Sequence, residues 1–201
     1  MSNARFLAKG IRATNDKIQF NVDAKVDSDN VRDFGSGGAR WKNLYLSGGA
    51  YIGGTGSSNY LDDYEEGTFS YTLIGSTGGS WTIRTGYGTG RYTKIGQMVQ
   101  VQIRFESLGR NSPSGNLYLN GLPFATANHP TSGNGSGQSP CLLRGNTDSG
   151  VASHFASYGH QSTYLTFLSQ DQGQSGVQAV NAGSHTTGNI EGTIMMSYIT
   201  E

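Results

Sequence analysis

The sequence contains little that would cross-link it internally or place it across a membrane. Cys141 is the only cysteine, so no disulfide can form within one chain, and a small buried apolar residue is its simplest interpretation. The longest apolar runs are far shorter than the ~20 residues that span a bilayer. The first ten residues, MSNARFLAKG, lack the apolar core of a signal peptide. We therefore expect assembly in the cytoplasm and no membrane insertion.

Charge is also scarce. Charged residues make up 14% of the 201 residues, against ~25% in an average soluble domain, and the formal net charge is zero. A neutral chain has no basic field that would attract a phosphate backbone, so nucleic acid is not an expected partner. Ser, Thr, Asn and Gln replace the missing charges, and these groups are indifferent to salt and pH. Such a composition suits an extracellular structural protein.

Few groups are arranged for catalysis or metal binding. The carboxylates of Asp62, Asp63, Glu65 and Glu66 could supply the two acids of a glycosidase, but a run of adjacent acids is more often a solvated turn or a salt-bridge site. The four histidines lack the spacing of zinc ligands. Three copies of one histidine on a threefold axis could still bind an ion. We expect no enzyme activity, no cofactor and no metal site.

The N-terminal part predicts a strand with one buried side. In KIQFNVDAKVD (17–27), apolar and polar residues alternate, so that Ile18, Phe20, Val22, Ala24 and Val26 share a face. The first sixty or so residues contain too few large apolar groups to close a core alone. The economical cover for this face is other copies of the same chain around a shared axis.

The remainder predicts an all-β domain. QMVQVQIRF (97–105) directs Val99, Val101, Ile103 and Phe105 inward, and NIEGTIMMSYIT (189–200) alternates in the same way. About eight such runs, separated by Gly, Ser, Asn and Pro turns, are typical of a β-sandwich or jelly roll. VASHFASY (151–158) fits a strand or a short helix equally well.

Several segments, taken in order, resemble one family. DFGSGGARWKNLYLSGGAYIGG (33–54) places a Gly/Ser-rich turn before an Arg-Trp-Lys-x-Leu-Tyr-Leu strand and a Gly pair. It is followed by NYLDDYEEGTFSYTL (59–73), GRYTKIGQMVQVQIRF (90–105) and SGNLYLNGLPF (114–124). The first segment resembles the linker of tailed-bacteriophage tail fibres and other virion fibre proteins. The others resemble the opening strands of the β-sandwich tip that follows it.

The resemblance implies an all-β homotrimer in two parts. Residues 1–60 would form an intertwined β shaft and virion-attachment region, and residues 61–201 a jelly-roll-like β-sandwich tip. The phrase KNLYLSGG (42–49) returns as GNLYLNGL (115–122): in the tip, Leu117 and Leu119 would point into the sandwich, with Asn120 and Gly121 turning the chain. The residues expected to pack at the trimer axis are Ile18, Phe20, Val22, Val26, Leu44 and Leu46.

The implied function is attachment of a virion to a host cell-surface glycan. The N-terminal region would dock on another virion protein of the tail, baseplate or capsid. Sugar binding needs aromatic faces beside amide and hydroxyl groups, and tip segments carry them. The receptor-binding candidates are Tyr158, His160, Gln161, Tyr164, Trp81 and Tyr87. A structural capsid fibre or an adaptor that holds another tail protein is the alternative, and a glycan hydrolase is a third.

Overall fold

The computed structural model describes residues 11–14, 17–20, 23–127, 137–145, 151–159, 161–171, 176–184 and 189–200. The chain divides into two units between Leu46 and Ser47. The described residues include no helix long and apolar enough to cross a membrane. The short helical turns are of the 3-10 type, at Ser57–Asn59 and Ala182–Ser184, so the described part of the chain is all-β.

The first unit begins with a small hairpin. Strand β1 (Ile11–Thr14) pairs antiparallel with β2 (Lys17–Phe20), and Ile11 lies opposite Phe20. The predicted strand over Ile18 and Phe20 is therefore present, whereas Val22 lies outside the described residues. Val26 was expected to extend the strand, but residues 23–26 form none and Val26 is exposed.

The segment predicted to form a strand at the trimer axis, residues 42–46, forms none in the single chain. Residues 23–49 are all described and form no strand, and Leu44 and Leu46 are exposed in the single chain. A strand requires a neighbouring backbone for its hydrogen bonds, and the described residues of this unit offer none to this segment. The strand stays a prediction for the proposed trimer, in which other copies of the chain would supply the missing backbone.

A tight turn precedes that segment. Ser36 and Ala39 exchange backbone hydrogen bonds of 3.0 and 3.2 Å, and the rings of Phe34 and Trp41 stack across the turn with centroids 4.9 Å apart. Gly35 has φ +96°, a conformation that favours glycine. The Gly/Ser-rich stretch thus forms a small closed loop, and the stacked rings of Phe34 and Trp41 remain exposed.

The second unit is built almost wholly from strands. Two short ones pair with each other, β3 (Ala50–Tyr51) and β4 (Tyr60–Leu61). The others are β5 (Tyr64–Ser70), β6 (Thr72–Gly75), β7 (Gly78–Ile83), β8 (Thr89–Ile95), β9 (Met98–Ser114), β10 (Leu117–Asn120), β11 (Gly137–Arg144), β12 (Val151–Tyr158), β13 (Tyr164–Asp171), β14 (Gln178–Ala179) and β15 (Glu191–Ile199). The segment 151–158 is thus a strand, which decides between the two interpretations that its sequence allowed.

The long strand β9 closes the sheet on itself. Neighbouring strands follow the order β15-β11-β12-β13-β10-β6-β7-β9-β8-β5, and β9 pairs in addition with β15. The first half of β9 lies between β8 and β15, whereas its second half pairs with β7. The result is a barrel-like sandwich, with β8 and β5 extending the sheet beyond the point of closure.

The core follows the predicted alternation. Val99, Val101 and Ile103 have no exposed surface, Phe105 is 1% exposed, and its ring meets Phe167 edge-on at 5.7 Å. The predicted inward residues of the closing strand and of β10 are also confirmed as buried: Ile190, Ile194, Met196, Tyr198, Leu117 and Leu119. Gly192 lies beside Phe105, and a Cβ at position 192 would overlap the phenyl ring. The ring therefore fits only because residue 192 is a glycine.

Candidate ligand-binding face

One outer surface of the second unit is a broad polar sheet. The alternation that buries Val99, Val101 and Ile103 directs Gln100, Gln102 and Arg104 to the opposite side. The antiparallel register then sets polar neighbours beside them, with Arg91 of β8 opposite Gln102. We call this surface the open face. Its residues are Glu66, Thr68, Arg91, Thr93, Gln100, Gln102, Arg104, Glu106, Leu142, Arg144, Glu191, Thr193 and Met195.

Three adjoining depressions form a shallow trough along the open face. The first, of about 510 Å³, contains Glu66, Thr93 and Gln100 in its lining. It shares Arg91 and Gln102 with a second depression of about 480 Å³, which also reaches Tyr87, Arg104 and Thr193. The third, of about 250 Å³, shares Arg104 and Thr193 with the second and ends at Leu142, Arg144 and Glu191. The shared residues show that the three depressions lie side by side, and we call this row of depressions the trough.

Most charges on this face have a defined neighbour. Glu106 and Glu191 lie directly opposite each other, an arrangement that is unfavourable for like charges. Each has its own cation: Arg84 Nε lies 2.9 Å from Glu106 Oε1, and Arg144 Nη1 lies 3.4 Å from Glu191 Oε1. These exposed pairs offset the repulsion, although each contributes at most about 1 kcal/mol of stability.

One aromatic ring lies at the trough. Tyr87, in the loop between β7 and β8, packs against the Arg104 guanidinium, whose carbon is 5.5 Å from the ring centroid. A cation held over an aromatic face is attracted by the ring quadrupole. The contact therefore restrains Arg104, which otherwise projects from the sheet as an exposed side chain.

The acidic run is part of the local hydrogen-bonding scheme. Asp63 forms an ion pair with the buried ammonium of Lys94, Glu65 accepts a hydrogen bond from Tyr92, and Glu66 accepts one from Tyr64. The carboxylates raise the pKa of Tyr92 and Tyr64 through these hydrogen bonds. Glu65 and Glu66 are consecutive on β5 and so point to opposite faces of the sheet. They do not converge on one cleft.

The predicted receptor-binding residues do not gather in one place. Trp81 lies on strand β7 in the core, not in a loop, and is 4% exposed. Tyr158 packs against the buried ring of Tyr198 at 5.9 Å. Tyr164 stacks on Tyr118 at 4.6 Å, outside the trough.

Tyr87 alone among the described candidates lines the trough. Gln161 is exposed in the turn before β13, and His160 lies outside the described residues. Receptor contact by any of these six residues stays a prediction. Sequence analysis missed Arg91, Thr93 and Thr193, because alternation shows that a residue points outward but not which strands lie side by side. The sequence signal for this surface was the alternation of polar Gln100, Gln102 and Arg104 with apolar residues, which predicts a polar outer side of the strand.

Nothing in the described part of the chain points to a metal centre. Among those residues, no three His, Cys, Asp or Glu side chains are grouped closely enough to hold an ion. Cys141 is half-buried, and burial raises the pKa of its thiol to about 12. A thiol held protonated in this way is a poor nucleophile at neutral pH.

Comparison with solved structures shows what the fold is similar to. The crystal structure of the Dettilon tailspike protein (gp208) superposes with a TM-score of 0.53 at 19% sequence identity, over 68% of this chain. The matched part is 23% of the tailspike chain, so this protein corresponds to less than a quarter of it. No family model matches the sequence, and no curated protein matches it. The likeness shows a shared β fold.

Proposed function

We propose that this chain is a bacteriophage tail fibre or tailspike component that attaches the virion to a glycan on the host cell surface. The observation that carries the proposal is the open face, where amide, hydroxyl and guanidinium groups line the trough. The order of the fibre-like segments from Asp33 to Phe124 supports it, as does the likeness to a tailspike fold. In this proposal the second unit is a jelly-roll-like tip, located at the virion surface.

The chemistry of the trough suits reversible recognition of sugars. Gln100 and Gln102 each offer two donors and an acceptor for sugar hydroxyls, and Thr93 and Thr193 add hydroxyl groups. Tyr87 offers part of a ring at one side. A shallow trough binds a single chain weakly, so several identical tips on one fibre would raise the avidity through effective concentration.

We propose binding without turnover. A glycosidase needs two carboxyl groups about 5–9.5 Å apart on either side of one bond. Glu65 and Glu66 point to opposite faces, and Asp63 is engaged by Lys94. Glu106 and Glu191, which do share the open face, are each paired with an arginine. These partners support a binding surface rather than a reactive one.

Adsorption to the host tests the function. Labelled full-length protein is expected to bind host cells and to compete with virus for them. Replacing both amides, Gln100→Ala and Gln102→Ala, should reduce cell binding at least about tenfold, because buried sugar hydroxyls would lose their partners. The matched control Gln97→Ala alters an exposed glutamine in the turn before β9 and should bind as the wild type does. If the protein fails to adsorb and its tip instead binds a virion protein, the result would favour the alternative function, an adaptor that holds another tail protein.

We also propose that three copies assemble around the first unit. Its apolar side chains are exposed in the single chain, at 66% for Leu44, 65% for Trp41 and 60% for Val26. Several large apolar side chains left exposed within one short part of the chain support their burial against other copies. An N-terminal region that also docks on another virion protein would use the same part of the chain.

Light scattering should return three times the chain mass of 21.4 kDa. Replacing Leu44 and Leu46 together by serine should shift the protein toward monomer, because the substitutions remove apolar area from the proposed axis. Leu108→Ser, at a leucine of the second unit that is 53% exposed, is the matched control and should leave the mass unchanged. A monomeric wild type would contradict the shared-axis proposal.

A further inference from the structure

The middle depression of the trough differs in charge from its neighbours. Its side-chain lining comes from Tyr87, Thr89, Arg91, Gln102, Arg104 and Thr193, with Ile103 and Gly86 completing the wall. Among the described residues that line it, two are arginines and none is Asp or Glu. The first depression contains Glu66 and the third contains Glu191. The middle depression is thus the part of the trough whose lining has positive charge and no acidic side chain.

The two arginines lie close enough to act on one group. Arg91 is directly opposite Gln102, and Arg104 follows Gln102 by two residues on the same face of β9. Such diagonal neighbours lie roughly 7–8 Å apart, and their Cβ atoms are somewhat closer. Two long arginine side chains can therefore converge on a single ligand atom group between them, and the Tyr87 ring already restrains Arg104.

The nearby acids form no ion pair with these two arginines. Glu106 is paired with Arg84 and Glu191 with Arg144, whereas Glu66 keeps its charge and accepts a hydrogen bond from Tyr64. Among the ion pairs of the described residues, none includes Arg91 or Arg104. Both guanidinium groups therefore present their charge and donors to the trough, which raises the local concentration of anions.

We propose that the central depression binds an acidic sugar, specifically the carboxylate of a uronic acid residue. This inference rests on the proposed glycan-binding function and names the class of sugar. A planar guanidinium matches a carboxylate through two parallel hydrogen bonds. With the carboxylate between Arg91 and Arg104, the sugar ring packs against Tyr87, and Gln102 and Thr193 bind its hydroxyls. The recognised unit is an acidic residue within a longer, otherwise neutral glycan.

The experiment compares sugars that differ only at the acidic position. Binding of D-glucuronate, its neutral isostere D-glucuronamide, and D-glucose 6-phosphate to the full-length protein is followed by NMR, together with the galacto-configured set. We expect the uronates to bind about tenfold more tightly than the amides, since a paired charge is lost in the amide. Added NaCl should reduce this preference, because salt screens exposed charges.

Variants locate the effect. Arg91→Gln and Arg104→Gln should each abolish most of the preference of the protein for uronate over amide. Arg110→Gln removes the same charge from an exposed position on the same strand, outside the trough, and should retain the preference. Equal binding of uronate and amide, absence of binding by either, or a preference that survives both trough substitutions overturns the inference. Tighter binding of the sugar phosphate overturns the assignment to a carboxylate.

The two proposals fail in different ways. A protein that adsorbs to host cells through Gln100 and Gln102 but shows no preference for uronate loses only the acidic-sugar inference. A protein that prefers uronate through Arg91 and Arg104 but neither adsorbs nor competes with virus loses only the receptor-binding function.

Discussion

Phe105→Ala is expected to lower the free energy of unfolding of the second unit by about 3–5 kcal/mol. The phenyl ring is 1% exposed, meets Phe167 edge-on and occupies the space that Gly192 leaves open. Its removal takes apolar surface out of the core and leaves a cavity that the surrounding strands cannot easily close. Since whole domains are stable by only about 5–15 kcal/mol, this loss is a large fraction of the total.

Denaturant titration of the full-length protein checks this expectation. Leu108→Ala removes an apolar side chain from the same strand at a position that is 53% exposed, and should change the stability by no more than about 0.5 kcal/mol. If both substitutions had the same small effect, Phe105 would not lie in the core and the register of β9 would be wrong.

Alkaline pH is expected to unfold the second unit. Burial raises the pKa of Tyr71 and of Tyr198 to about 12 from an ordinary value of 10. Between these values the unfolded chain has lost its phenolic protons while the folded chain retains them. Stability is therefore fully present below pH 10 and falls as the pH rises toward 12. Each tyrosine accounts for up to roughly 2–3 kcal/mol.

The thiol of Cys141 acts in the same direction, because burial raises its pKa from 9 to about 12. The summed loss is comparable with the whole stability of a domain. The difference in tyrosinate absorbance between the wild type and Tyr198→Phe isolates the buried Tyr198, and this difference should appear together with the loss of β-sheet circular dichroism. Ionisation of Tyr198 near pH 10 without unfolding would contradict the burial of its hydroxyl group.

Tyr198→Phe separates the titration from the packing. The Tyr198 hydroxyl donates a hydrogen bond of 3.0 Å to the carbonyl oxygen of Phe124, so the variant loses about 1 kcal/mol at neutral pH. Its stability should then fall less steeply above pH 10 than that of the wild type, because phenylalanine has no phenolic proton whose pKa differs between the folded and unfolded chain. Tyr45→Phe, at an 85% exposed tyrosine, should leave the pH profile unchanged.

Local periodicity predicted the buried side of several strands well. Val99, Val101, Ile103 and Phe105 alternate with polar residues, and a half-buried strand imposes that period directly. Leu44 and Leu46 form no strand in the single chain, because a strand needs a neighbouring backbone to pair with, and their place at the trimer axis stays a prediction. The segment 151–158 was ambiguous for a related reason: its small residues have no clear period, and pairing with β11 and β13 makes it a strand.

The trough could not be predicted because it depends on pairing between distant segments. Arg91, Gln102 and Met195 become neighbours only when β8, β9 and β15 align. Trp81 shows the complementary difficulty, since a large aromatic ring suits a core as well as a binding surface, and composition does not distinguish the two. Polar residues at outward positions were visible in the sequence, but their alignment across strands was not.

The dual pairing of β9 has a mechanical consequence. Inter-strand hydrogen bonds run perpendicular to the strands, so a pull directed along β9 loads its bonds to β15 simultaneously, from Glu106 opposite Glu191 to Met98 opposite Ile199. The second half of β9 is anchored to β7 on the far side of the closure. A force parallel to the strands of the open face therefore acts in shear on all the hydrogen bonds of β9 at once. A force perpendicular to the strands would instead break the hydrogen bonds of β5 and β8 one at a time, starting from the edge of the sheet.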